Sequence, residues 1–146
     1  FVSAVLSYPR TRYGPSPIVD LSDARERERL GGAAARGFLK IVEHWKIRDE
    51  DARRLLGNMS NGAYYELKKH PERLTDEDRM RRASLLIGIF KALNILYDEA
   101  LADRWMQLAN TNRLFGGRTP LAYLLEGGLP AFVTLRRLLD ARRGGA

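Results

Sequence analysis

Few side chains in this sequence have types and spacing that could carry catalysis. His44 and His70 are far apart in the chain, whereas metal sites use clustered ligands. The acidic pairs and triplets at 50–51 and 76–78 stand where helices are expected to begin, and helix dipole and capping effects explain them without catalysis. The sequence has no phosphate-binding glycine loop and no Gly-x-Ser-x-Gly nucleophile motif. These residues predict a protein that is not an enzyme and has neither a metal site nor a cofactor.

The composition indicates a globular chain that can meet an acidic partner. Of its 146 residues, 45% are hydrophobic, which is enough for a buried core, and the formal net charge is +7. This charge permits contact with nucleic acid or with an acidic protein surface. The chain lacks cysteine, and no apolar stretch approaches the roughly 20 residues of a membrane span. We therefore expect a soluble, cytoplasmic protein without a membrane partner.

The hydrophobic periodicity predicts an all-α fold of about seven helices, because no segment shows convincing strand alternation. Residues 1–20 are predicted to be an irregular arm, and the charged segment 22–30 a solvated helix broken by Gly31 and Gly32. Asp49 and Thr75 are expected to cap helices, and Thr119 is expected to cap a helix that begins at Pro120. The remaining helices are predicted at 33–46, 49–56, 61–70, 76–97, 99–109 and from Pro130 to the end.

The segment 85–97 is apolar on nearly every face of its helix. A helix of this kind in a soluble chain must be covered on two sides, so it either centres the fold or joins a subunit interface. The second possibility predicts a homo-oligomer. Its candidate interface residues are Leu86, Ile89, Phe90 and Leu93.

Two short helices, 49–56 and 61–70, are separated by a turn containing Gly57 and match a helix-turn-helix pattern. The candidate DNA-contacting residues are Ser60, Asn61, Tyr64, Tyr65, Lys68 and Lys69. Residues 49–74 hold five basic and five acidic groups, so this region alone neutralises phosphates poorly. The alternative is that it is only a helical hairpin in a bundle.

The final helix has an apolar face and a face that carries arginines. Arginine suits interfaces because its planar guanidinium pairs with carboxylates, so this face can meet a protein partner. It can equally be a solvated face that the helix dipole favours. The arginines concerned are Arg136, Arg137 and Arg143, with Arg142 near the edge.

Several segments together resemble the Xre/MbcA/ParS family of bacterial antitoxins. They are residues 50–57 (EDARRLLG), 64–69 (YYELKK), 82–97 (RASLLIGIFKALNILY), 102–105 (ADRW), 112–121 (NRLFGGRTPL) and 125–128 (LEGG). The resemblance covers about residues 38–146 and implies an Xre-like helix-turn-helix and dimerisation region over 33–97 and a toxin-binding domain over 98–146. Residues 1–32 are then left as an N-terminal arm without a counterpart in the family. It also implies a RES-domain toxin as partner, which acts on NAD or ADP-ribosylates a protein, and repression of the chain's own operon. The candidate toxin-binding residues are Trp105, Asn112, Phe115, Arg118, Arg136, Arg137, Arg142 and Arg143.

Two other functions compete with that interpretation. The chain could be a stand-alone helix-turn-helix regulator, or a purely structural helical adaptor. A neighbouring reading frame for a RES-type enzyme would favour the antitoxin, and a lone gene with an upstream palindrome would favour the regulator.

Overall fold

A computed structural model describes residues 20–144 of the chain. The described part contains seven α-helices and no strand, which confirms the all-α prediction. The helices are α1 (Ala24–His44), α2 (Asp49–Leu55), α3 (Asn61–Lys69), α4 (Glu77–Leu96), α5 (Glu99–Arg104), α6 (Pro120–Gly127) and α7 (Leu129–Arg143). Three single 3-10 turns lie between them, at Pro71–Arg73, Trp105–Gln107 and Arg113–Phe115. The irregular arm predicted over residues 1–20 falls almost wholly on residues 1–19, which lie outside the described residues.

Helix α4 is the centre of the fold, with α1 and α7 packed against it. Its buried residues include Leu86, Ile89 and Leu93, and each of these side chains is fully buried within the one chain. This central position explains why α4 has apolar residues on several faces, because different helices cover its different faces.

The position of α4 corrects the assignment of its residues to an oligomer interface. Leu86, Ile89 and Leu93 are in the intramolecular core, so they cannot form a subunit contact while the chain is folded. Phe90 is half-buried and packs its ring against Trp45, with 5.9 Å between the ring centres. Between the two possibilities that the sequence leaves open for this helix, the structure selects the central one.

Helix α1 runs without a break through Gly31 and Gly32, where the sequence predicted an interruption. Gly31 is buried, and a β-carbon there would lie 1.9 Å from the carbonyl oxygen of Leu74. Glycine is therefore required for close approach of two backbones and not for a turn. The same finding shortens the predicted arm, because residues 24–32 belong to α1.

The helix starts are capped mainly by short polar side chains, as helix N-termini require. Ser60 and Thr119 accept hydrogen bonds from Ala63 N and Ala122 N, both at 3.1 Å. Two predicted caps are wrong by one residue. Helix α2 begins at Asp49 itself, and α4 is capped by Asp76, whose carboxylate accepts from Arg79 N at 2.9 Å.

One hydrophobic cluster extends from Ala34 in α1 to Leu139 in α7. It crosses the boundary at 97/98 that the sequence suggested between two domains. The division at 97/98 is therefore a proposal about where functions lie, because the described residues share a single core.

Candidate functional site

The connection between α2 and α3 is a tight turn with two left-handed residues. Gly57 has φ 83° and Asn58 has φ 62°, and Met59 then enters the core with only 5% of its surface exposed. Asparagine tolerates this backbone region better than most residues, and glycine adopts it freely. The turn holds the start of α3 outward, so that Asn61 and Gly62 are exposed.

Some of the candidate DNA-contacting residues are exposed, and others are buried or already bonded within the chain. Tyr64 is 2% exposed and lies in the core; its burial, with a smaller effect of Asp49, raises the pKa of the phenol to about 12. The ammonium of Lys68 forms an ion pair with Asp49 at 2.9 Å, and Ser60 caps α3. These three side chains therefore have structural roles and are poorly placed to read bases.

Asn61, Tyr65 and Lys69 form the outward face of α3, at intervals of four residues. Tyr65 is 58% exposed, and the ammonium of Lys69 lies 4.6 Å from the centre of its ring. An exposed cation over an aromatic ring offers one positive charge and one flat apolar surface to a partner.

An aromatic stack forms the interior of the C-terminal region. Trp105 stacks on Tyr97 at 6.3 Å between ring centres and meets Phe115 edge-on at 5.9 Å, and Phe115 meets Tyr123 at 5.5 Å. Trp105 is 6% exposed and Phe115 is fully buried. Both were candidates for toxin contact, and burial instead gives them the role of supports beneath the surface.

The loop between α5 and α6 is held by its own side chains. Asn112 accepts a hydrogen bond from Leu114 N at 2.9 Å, and Arg118 donates from Nε to the Phe115 carbonyl at 2.8 Å. The same guanidinium forms an ion pair with Glu126 at 3.2 Å. Asn112 and Arg118 are thus near each other on one rigid loop, but much of their bonding capacity is used within it.

Three of the four arginines selected on α7 are engaged inside the chain. Arg136 and Arg143 both pair with Asp140, at 3.0 and 3.4 Å, and only 3% of the Arg143 side chain is exposed. Arg142 donates to the Tyr97 hydroxyl at 3.0 Å. The prediction that this whole face meets a partner is corrected accordingly, and Arg137 is the one of the four whose residue is exposed.

Gly88 in α4 makes room for Arg136. A β-carbon at this glycine would lie within bonding distance of the Arg136 guanidinium, so the arginine lies flat across the helix. Sequence reasoning missed Gly88 and Tyr97 as contacts that anchor α7, and Asp140 as the carboxylate that pairs with two arginines of the same helix. The spacing of Arg136 and Asp140, four residues apart on one helix, was a signal for the ion pair.

The histidines each have one carboxylate neighbour. His44 Nε2 lies 2.8 Å from Asp103 and His70 Nδ1 lies 3.5 Å from Glu72. Among the residues that the structure describes, no three His, Asp or Glu side chains converge as a metal site. No helix in residues 20–144 has the length and apolar character needed to cross a bilayer.

Comparison with known proteins identifies the class of this chain. Residues 91–145 match the model of the antitoxin Xre/MbcA/ParS C-terminal toxin-binding domain. A relative, uncharacterized protein y4oB of Sinorhizobium fredii (strain NBRC 101917 / NGR234), is 32% identical over 114 residues, which cover 77% of this chain and 86% of the relative. No solved structure matches the chain significantly.

The chain belongs to the Xre/MbcA/ParS antitoxin family. The matched range takes in the end of α4, the aromatic stack, the glycine-containing loop and α7. Membership gives the chain the role of an antitoxin with a toxin partner.

Proposed function

We propose that the chain inhibits a RES-domain toxin, an enzyme that degrades NAD or transfers its ADP-ribose, by covering the toxin's active site. The observation that carries this proposal is the match of residues 91–145 to the toxin-binding domain. An enzyme that handles NAD has a pocket for phosphates and ribose, and a protein surface across its mouth excludes the dinucleotide without any chemistry of its own.

The anchoring of α7 supports inhibition by occlusion. Helix α7 packs against α4, the Arg136 guanidinium lies against Gly88 of α4, and Arg142 donates to the hydroxyl of Tyr97, the residue that follows α4. These contacts hold the last helix against the core before a toxin binds. A surface that is already ordered loses less conformational entropy on binding. Arg137 points away from these contacts and is available for a carboxylate at the rim of the toxin pocket.

Reversing the charge of Arg137 provides the test. In cells that co-express the RES-domain product of a neighbouring reading frame, we expect Arg137→Glu to lose protection, with inhibition of NAD consumption in vitro weakened roughly tenfold or more. The matched control is Lys40→Glu, an equal charge change at an exposed position of α1. Full protection by Arg137→Glu would remove this residue from the interface, and a wild-type chain that does not protect at all would reject the RES toxin as partner.

We propose DNA binding as a second activity of the same chain; the alternative function is that of a stand-alone helix-turn-helix regulator. The observation that favours DNA binding is the outward face of α3, with Asn61, Tyr65 and Lys69 exposed after a tight turn. Residues 49–74 have no net charge, so affinity requires further phosphate contacts, for instance from a second copy in a homo-oligomer.

The two adjacent lysines of α3 give a matched pair for testing the DNA proposal. We expect Lys69→Ala to reduce the slope of log affinity against log salt for the operator DNA by about 0.9, the effect of one lost phosphate contact. Lys68→Ala should change the slope less, because Asp49 already neutralises that ammonium. Fluorescence anisotropy with DNA from upstream of the gene, over a range of salt concentrations, measures both. Equal slopes for wild type and Lys69→Ala would remove α3 from the DNA contact.

A further inference from the structure

Two exposed leucines stand out on the surface of the described chain. Its exposed large hydrophobic side chains are Tyr65 at 58%, Leu101 at 37% and Leu108 at 37%. Both leucines fall inside the range that matches the toxin-binding domain, whereas Tyr65 does not. Isolated apolar side chains on a surface are ordinary, but large apolar residues near one another on a known binding domain indicate where a partner covers them.

The two leucines are close enough to lie under one partner. Leu101 is in α5, and Leu108 directly follows the 3-10 turn that continues this helix. The rise per residue of the two helix types separates them by about 12 Å along the segment. A protein interface of ordinary size takes about 800 Å² from each partner and is wider than this.

The buried Trp105, which lies between the two leucines in sequence, anchors the segment that bears them. Its ring stacks on Tyr97, and the side chain of Gln107 donates to the Trp45 carbonyl at 2.8 Å. The aromatic stack thus holds Leu101 and Leu108 outward on an ordered support. Ordered apolar side chains of this kind are suited to fill a recess on a partner.

Charge identifies the chemistry of that partner. Arg104 is three residues after Leu101 and Arg113 is five residues after Leu108. Both arginines are exposed, and neither has a carboxylate within ion-pair distance among residues 20–144. Arg118 and Arg136, which the sequence favoured, are instead paired with Glu126 and Asp140. Free arginines beside exposed leucines complement an apolar recess bordered by carboxylates.

We propose that the toxin docks on Leu101 and Leu108, with Arg104 and Arg113 pairing with acidic groups at the edge of its recess. This inference rests on the proposed function, since it assigns the main contact of the same toxin. It separates two tasks: the leucine surface supplies affinity, and the end of α7 covers the active site.

The test uses the full chain co-expressed with the RES-domain product of the neighbouring reading frame and purified through a tag on the toxin. We expect Leu101→Glu with Leu108→Glu to bind the toxin about 100-fold more weakly than wild type, because a charge then enters an apolar contact. The matched control is Ala33→Glu with Ser84→Glu, which places the same two charges at exposed sites outside the matched range and should bind as wild type. Circular dichroism melting of each variant separates weak binding from unfolding, and Leu101→Ser with Leu108→Ser, which adds no charge, should also weaken binding.

Three outcomes are distinguishable. Weak binding by folded leucine variants together with normal binding by the Ala33→Glu, Ser84→Glu control supports the docking surface. Binding of the leucine variants at wild-type strength overturns it and leaves the proposed function intact. A wild-type chain that does not bind this toxin overturns the proposed function, and the docking surface with it.

Discussion

Ile89→Asp is expected to destabilise the chain severely at neutral pH. Ile89 is fully buried in α4, so the substitution removes a large apolar side chain and puts an unpaired carboxylate in its place. Together these changes should cost more than about 4 kcal/mol, against a total stability of roughly 5–15 kcal/mol for a domain. Urea unfolding followed by circular dichroism measures the loss.

Ser84→Asp is the matched control, because Ser84 lies on the same helix and is exposed. Its free energy of unfolding should stay within about 0.5 kcal/mol of wild type. Repeating Ile89→Asp over a range of protein concentrations distinguishes core from interface. If high concentration restores folding, the role of Ile89 in association would have to be reconsidered.

Gly31→Ala should destabilise the chain by roughly 2–3 kcal/mol, although alanine favours helices more than glycine does by about 1 kcal/mol. The reason is the Leu74 carbonyl oxygen, which lies 1.9 Å from the position of the new β-carbon. A backbone oxygen cannot rotate away as a side chain can, so α1 and the segment before α4 must move apart.

Gly62→Ala is the matched control, because at this glycine an added β-carbon has room. This glycine is at the start of α3, and nothing lies within 4 Å of an added β-carbon. Thermal unfolding should therefore show no loss of stability for Gly62→Ala and a clear loss for Gly31→Ala. A pair of equal melting temperatures would contradict the close contact between α1 and Leu74.

The sequence was informative where structure depends on neighbours along the chain. The helices follow from apolar spacing, and the caps at Ser60 and Thr119 follow from residue type. The sequence was uninformative where a structural feature depends on residues that are distant along the chain. Nothing local to Gly31 reveals the Leu74 carbonyl beside it, so glycine was interpreted as a break.

The same distinction applies to the candidate contact residues. Residue type correctly marks arginine as an interface residue in general, but it cannot show that Arg143 is buried beside Asp140. Trp105 and Phe115, which the family resemblance made candidates for toxin contact, lie beneath the surface. The sequence does not indicate that Leu101 and Leu108 are exposed, because the exposure of a leucine depends on which helices cover it.

The single core has a consequence for how such a chain can change over generations. Helix α4 packs against α1 on one side and α7 on another, so no cut near residue 97 leaves two halves with complete interiors. If the C-terminal region were exchanged for that of a relative, the new α7 would have to pack against an α4 whose side chains complement a different helix. New toxin specificity should therefore arise by replacement of surface residues one at a time, with the region before residue 97 inherited alongside them.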